Sequence, residues 1–195
     1  MKVCILKSRV GNFKSVSSFF NELNYRVNLS NKINDIMSAD LLVIPGAGSF
    51  EGFMNSYNTN IIDAIKNRKE QSKLIFGICA GFQVLFSNSE ESHKMKGLNL
   101  IKGKIVKLKS GKERLPHLGW YKTTFNKKKD LNNLYYYVNN YGLKFCKSFS
   151  DISYYTFNNT KYISAFRKDN IIASQFHPEK SSDAGIKFFR KFVLS

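Results

Sequence analysis

The chain reads as an α/β fold: a mainly parallel sheet covered by helices on both faces, with additional antiparallel strands in the C-terminal half. Three observations predict it. Through the first half, short apolar runs alternate with helical amphipathic stretches, the rhythm of a parallel sheet whose crossovers are helices. From Gly97 onward apolar and polar residues alternate instead, as they do in antiparallel strands. Glycine-rich turns follow two of the apolar runs, at 46–48 and 77–81, and ligands of such sheets gather at the carboxyl ends of strands.

Residues 3–6 form the first expected strand. Residues 12–23 enter a helix opened by Gly11-Asn12, with Phe13, Val16, Phe19, Phe20 and Leu23 on one stripe. A strand at 25–29, a short helix at 32–37 and a strongly apolar strand at 40–44 follow, the last ending in Pro45-Gly46-Ala47-Gly48-Ser49-Phe50. A helix at 61–68 leads to the apolar strand at 74–78. Beyond it an apolar helical stretch is expected to run out near 87–91. Residues 97–108 and the tyrosine-rich run 134–141 read as strands, and 154–157, 162–166 and 171–176 as a meander with turns at 158–159 and 168–170. Ser181-Ser182-Asp183 is expected to cap a closing helix with Ile186, Phe189 and Val193 inward. No repeat or linker interrupts the pattern, so residues 1–195 read as a single domain.

A chain of 195 residues can bury a core that needs no staples. Its three cysteines, at 4, 79 and 146, offer no paired framework and no metal spacing, which fits a reduced, cytoplasmic setting without a metal or cofactor. Residues 1–6 are soon interrupted by Lys7 and Arg9, unlike a signal peptide, and no apolar span is long enough for a membrane. The net charge of +17 raises nucleic acid as a partner. Yet the lysines are scattered, with one short run at 127–129, and no helix-turn-helix, zinc finger or Arg-rich arm accompanies them. Dispersed, solvated lysine is the better account. An acidic partner protein or a phosphorylated metabolite is a third way to use the charge.

The chemistry centres on Gly77-Ile78-Cys79-Ala80-Gly81. A strand passing through Gly-x-Cys-x-Gly into a helix is the cysteine form of a nucleophile elbow, in which a strained turn holds the central side chain out of the sheet. There the helix dipole favours thiolate, and the Ala80 N–H can meet an oxyanion forming beside the sulfur. Cys79 as a small core residue between packing glycines is the competing account. A second feature favours the nucleophile: Gln175-Phe176-His177-Pro178-Glu179 ends another apolar strand with an imidazole and a carboxylate two residues on. A thiolate needs such an imidazole to move protons, and the imidazole needs an acceptor that fixes its tautomer. The glycines of 46–48 suit a second oxyanion donor, or an ordinary βα turn.

Gly77-Ile78-Cys79-Ala80-Gly81-Phe82-Gln83 together with Gln175-Phe176-His177-Pro178-Glu179 resembles the triad framework of class I glutamine amidotransferases. Pro45-Gly46-Ala47-Gly48-Ser49-Phe50, Pro116-His117-Leu118-Gly119-Trp120 and His177-Pro178-Glu179-Lys180-Ser181 narrow the resemblance to the glutaminase subunits of imidazole glycerol phosphate synthase. The resemblance implies a triad of Cys79, His177 and Glu179, and an oxyanion hole from Ala80 and from Gly46, Ala47 and Gly48. It also implies glutamine contacts from Gln83, Glu91, Asn140 and Tyr141. Gly11, Asn12, Trp120 and Lys180 are expected to face a separate (β/α)8 synthase (cyclase) chain in a heterodimer. Trp120 alone would default to the core, and His117 to a structural or interface role.

The chain departs from the family's usual residues at 7–10, at Tyr121, and at Asn139 and Asn140. Those departures keep open a paralogous glutaminase that feeds a synthase-like barrel amidating a surface sugar. A basic interaction module with a dead elbow is the alternative outside the enzymes.

Overall fold

In the computed structural model, which describes residues 1–8, 12–46, 48–111, 113–149 and 151–194, the parallel half of the sheet runs in the order β2 (Arg26–Leu29), β1 (Lys2–Ile5), β3 (Leu41–Ile44), β4 (Leu74–Ile78). Strand β12 (Ile171–Ser174) returns from far downstream and pairs parallel with β4, Ser174 opposite Ile78. Beyond β12 the sheet turns antiparallel through β11 (Thr160–Lys168), β10 (Asp151–Phe157), β7 (His117–Phe125) and β8 (Asn133–Asn139). The carboxyl ends of β3, β4 and β12 therefore lie side by side.

Strand β3 is buried at all four residues, as a parallel strand covered on both faces should be. Leu42 and Ile44 join one core, with α2 (Ile33–Ser38), α3 (Phe50–Met54), α4 (Thr59–Glu70) and α5 (Ala80–Val84). Leu41 and Val43 join the other, with Val16, Phe19 and Phe20 of α1 (Phe13–Glu22) and Phe188 of α6 (Ser182–Phe188). Local signals set the helix starts. Asn12 Oδ1 accepts from Ser15 N, Ser49 Oγ from Gly52 N and Asn58 Oδ1 from Ile61 N, each meeting a donor that has no intrahelical partner. Arg68, fully buried near the end of α4, donates to the carbonyls of Ile36, Ala39 and Leu74 at 2.7–2.8 Å. It ties α2 to the entries of β3 and β4.

The structure differs from expectation in four places. The elbow helix stops at Val84, and β5 (Phe86–Ser89) pairs parallel with β6 (Ile101–Lys107), which itself pairs antiparallel with β9 (Tyr141–Lys144). Phe82 and Phe86 are both buried and lie four residues apart, so the helical spacing misleads; pairing with β6 ends the helix. Residues 117–120, which the resemblance placed in a loop toward the synthase, open a strand, β7. Ser181 does not cap α6 with its side chain: Oγ donates to His177 O at 2.6 Å and accepts the Tyr136 N–H. At the closing segment α6 passes into a π-turn over Phe189–Val193; Phe188 and Phe192 are buried besides the expected Phe189 and Val193, and Ile186 packs half-buried against the same core.

Candidate active site

Cys79 stands between β4 and α5 with φ 51° and ψ −107°, a left-handed geometry that is strained for a side chain of its kind. Its N–H donates to Ser174 O at 2.8 Å, and its carbonyl accepts from Gln83 N at 3.1 Å. The turn after β3 presses on this elbow. A Cβ on Gly46 would lie 2.0 Å from Ile78 O and 2.5 Å from Ala80 N, so only glycine fits there. Gly48, at φ 94°, takes the chain away in a conformation other residues resist.

His177 leaves the end of β12, its N–H on Tyr136 O at 2.9 Å. Nδ1 is 2.7 Å from Glu179 Oε1, and the two side chains are 3% and 1% exposed. The carboxylate fixes the proton on Nδ1, and Nε2 is buried with no hydrogen-bond partner among the described residues. Burial by itself would lower the imidazole pKa; the Cys79 sulfur and the Glu179 carboxylate outweigh it and push it up to about 10.

Two hollows meet at Cys79. One, of about 210 Å³, is walled by Gly48, Cys79, Ala80, Gln83, Glu91 and Pro116, and on its far side by residues 138–141. The other, of about 300 Å³, is lined by Asn12, Gly46, Gly48, Cys79, Val138, His177 and Lys180. In the first, burial raises the Glu91 carboxyl pKa; Glu51 adds to the rise and the Phe50 N–H opposes it. No group of three or more His, Cys, Asp or Glu side chains suited to a metal occurs among the described residues.

Most of the predicted site residues thus come together. Cys79, Ala80, Gly48, Gln83, Glu91, Asn140 and Tyr141 share the first hollow, and Cys79, His177, Gly46, Asn12 and Lys180 the second, with Glu179 behind His177. Gly11 and Ala47 lie outside the described residues. Gln83 is 5% exposed, and its carboxamide nitrogen is committed to Tyr141 O at 2.9 Å and Gln175 Oε1 at 3.1 Å. Trp120 is no core residue. It is half-exposed on β7, its ring edge-on to Tyr136 at 5.9 Å, and the Lys180 ammonium lies 5.7 Å from the Tyr136 ring.

His117 is buried, as a structural histidine would be, but it has a partner that the sequence did not offer: Nδ1 meets Asn139 Oδ1 at 3.2 Å. Asn139 accordingly turns away from solvent, its nitrogen on Tyr141 O and the Tyr155 hydroxyl. Two groups at the sulfur escaped the sequence reading. Val138 O accepts from Cys79 Sγ at 3.6 Å, and Gln175 Nε2 stands 3.7 Å from it. A main-chain carbonyl leaves no sequence signal. Gln175 lies inside a recognised motif but is separated from Cys79 by 96 residues.

Residues 11–195 match the family model of class-I glutamine amidotransferases. Imidazole glycerol phosphate synthase subunit HisH of Lactococcus lactis is 34% identical over 98% of each chain, and that of Thermotoga maritima 40% identical over 79% of this chain and 75% of its own. The chain belongs to the class-I glutamine amidotransferases and, among them, to the family of imidazole glycerol phosphate synthase subunit HisH. A solved glutamine amidotransferase shares the fold with a TM-score of 0.76 at 16% identity, covering 99% of both chains. The PurLQS structure from Thermotoga maritima gives 0.74 at 19% identity, covering 99% of this chain and 97% of its own.

Proposed function

We propose that this chain acts as one amidotransferase domain that hydrolyses glutamine in the cytoplasm. In this reading it docks as a heterodimer on a (β/α)8 synthase chain that uses the ammonia to make imidazole glycerol phosphate in histidine biosynthesis. The observation that carries the reading is the shared hollow: the sulfur of a strained elbow and a carboxylate-held imidazole line it together, from adjacent parallel strands. Family membership supports the substrate and the pathway.

Glutamine would enter the polar hollow with its α-amino group toward Glu91 and its side-chain amide over Cys79. The thiolate attacks the amide carbon, a C–S bond forms, and the carbonyl electrons move onto oxygen. Ala80 N–H and an amide of residues 46–48 hold that oxyanion. His177 gives the Nε2 proton to the amide nitrogen, the C–N bond breaks, and ammonia leaves a thioester behind. His177 then takes a proton from water as the water oxygen attacks the thioester. The C–S bond breaks, and glutamate and the thiolate are released. Glu179 steadies the imidazolium in both halves.

Ammonia that reached bulk water would be protonated, so the second hollow, bordered by Asn12 and Lys180, is the exit that suits a docked partner. The apolar face bearing Trp120 would receive the barrel. Replacing Cys79 with Ala should cut ammonia release by at least a thousandfold, roughly the loss expected when a covalent nucleophile is removed. Ammonia release that survives the change rejects the mechanism.

The departures at residues 7–10, Tyr121, Asn139 and Asn140 motivate, as a second reading, a paralogue that serves a barrel amidating a surface sugar. Assaying the chain with each barrel separates the two. Stimulation by the histidine-pathway intermediate supports the first, and its absence supports the second.

A further inference from the structure

Gln175 is fully buried just beyond β12, with its main-chain N–H on Ser164 O at 2.7 Å. Its carboxamide lies between two groups: Oε1 accepts from Gln83 Nε2 at 3.1 Å, and Nε2 faces Cys79 Sγ at 3.7 Å. Either end of a carboxamide fits the same space, so a cause is needed for the end that meets sulfur. That cause is a main-chain carbonyl. Tyr141 O can only accept, and it takes Gln83 Nε2 at 2.9 Å. Gln83 is thereby fixed with its NH2 end inward, and the second N–H of that nitrogen reaches Gln175 Oε1. Gln175 is left with its own NH2 on the sulfur. The same carbonyl accepts Asn139 Nδ2 at 2.9 Å, which turns Asn139 Oδ1 toward His117.

We propose that Gln175 is the hydrogen-bond donor that favours the ionised sulfur of Cys79, and that Gln83 is a positioning residue that sets the direction of that donor. The proposal rests on the reading of Cys79 as the nucleophile. A donor binds a charged acceptor more strongly than a neutral one, so an N–H aimed at sulfur stabilises thiolate over thiol. Other groups act on the same atom. His177, with Glu179 behind it, and Lys180 face it across one hollow; Glu91 and Tyr141 face it across the other; Tyr155 of β10 lies within reach of its charge. Val138 O acts on it too, accepting from Sγ at 3.6 Å and favouring the thiol. The side chains all titrate. The carboxamide does not, so it supports the thiolate even where His177 has lost its proton.

Alkylation of Cys79 by iodoacetamide across pH, read by mass on the Cys79 peptide of the full chain, reports the ionisation of the sulfur. Gln175→Met removes the donor at similar volume. Gln175→Glu keeps the acceptor for Gln83 and places a carboxylate oxygen on sulfur. The midpoint should rise by about one pH unit in Gln175→Met, a roughly tenfold loss of thiolate at fixed pH, and further in Gln175→Glu. Gln83→Met should move it the same way by less. An unmoved midpoint in folded Gln175 variants overturns the proposal.

Should those variants fail to fold, the unsubstituted chain decides. It has three glutamines, Gln71, Gln83 and Gln175, so the side-chain amide resonances of a nitrogen-labelled sample can be assigned. The Gln175 resonance should move with the alkylation midpoint and stop moving in Cys79→Ala; a Gln175 resonance that ignores the sulfur overturns the proposal. Alkylation does not depend on glutamine. Shifted midpoints in a chain that releases no ammonia with any barrel would sink the glutaminase reading and leave Gln175 as the donor, whereas active enzyme with unmoved midpoints sinks only the donor.

Discussion

His117 and His177 are almost equally buried, at 0% and 3% exposure, yet their surroundings drive them to opposite charge states. The His117 ring stacks on Tyr155 at 4.9 Å and 7° and lies among Tyr121, Tyr137 and Phe157, with a neutral carboxamide as its polar partner. Burial there lowers its pKa to about 4, and the Asn139 bond only partly offsets the drop. His177 is desolvated too, but a sulfur and a carboxylate overcome that and raise the pKa to about 10. Burial therefore does not decide the charge of an imidazole; the charge of the atom on its ring nitrogen does. One histidine is held neutral as part of a packed network, and the other is held protonated beside a carboxylate.

The largest effect should come from making the second site resemble the first. Glu179→Gln keeps the shape of the partner and removes its charge, so the tautomer and the imidazolium both lose support. By analogy with carboxylate-to-carboxamide changes in catalytic triads, ammonia release should fall by about a thousandfold to ten-thousandfold, measured in a coupled ammonia assay with the proposed barrel partner present. A loss under tenfold would separate His177 from the chemistry. The same change should move the alkaline limit of stability. With its folded pKa above the ordinary 6.5, His177 contributes stability that is fully present below 6.5 and is lost as pH rises toward 10. In Glu179→Gln that loss should still begin near 6.5 but be complete at a lower pH.

The next effect has the reverse sign. His117 stays neutral in the folded chain down to about pH 4, whereas the unfolded chain takes up the proton near 6.5. Stability associated with it is complete above pH 6.5 and declines as pH falls through 4, by roughly 3 kcal/mol in all at ~1.4 kcal/mol per pH unit. Urea unfolding between pH 7 and 4, on the order of the physiological-to-acid range, should show the decline, and His117→Phe should flatten it. That variant keeps the aromatic packing and leaves Asn139 Oδ1 without its donor, so at neutral pH it should be less stable by about 1–3 kcal/mol. A slope equal to that of the unsubstituted chain would place the acid sensitivity elsewhere.

The two sites were not equally legible. The elbow strand fell at 74–78 as expected, and Cys79, His177 and Glu179 came together, because glycine spacing and a carboxylate two residues from an imidazole are local signals. The His117 network is made between β7, β8, β9 and β10, and no local pattern announces it. Thr123, Tyr137 and Ser164 join hydroxyls inside the same half of the sheet, in side chains that look like ordinary strand residues. Helix α3 spans five residues, too few for a period to show. Strand β5 was hidden because Phe82 and Phe86 satisfy helical spacing while it is the pairing of Phe86 with Ile101 that decides. Strand β7 was hidden by an inverted alternation: His117 and Thr123 point in, and Leu118 and Trp120 point out.

That inversion supplies the smallest predicted effect and the finest division of the molecule, the two faces of one strand. Leu118 and Trp120 sit opposite Val138 and Tyr136 on β8, and both are about half exposed. A strand that places its apolar residues in water and its histidine in the core gains nothing from burial by that choice, which suits a face completed by a partner. Trp120→Ala should therefore change the unfolding free energy of the isolated chain by less than ~0.5 kcal/mol, as an exposed side chain does. The acid slope set by His117 should stay where it is, although the two residues are three apart on the same strand. Affinity for the proposed barrel partner, read by titration calorimetry, should fall by about tenfold or more, since exposed aromatics of this kind anchor interfaces. An altered acid slope would mean that the two faces are coupled through β7, and an unaltered affinity would move the docking surface away from Trp120.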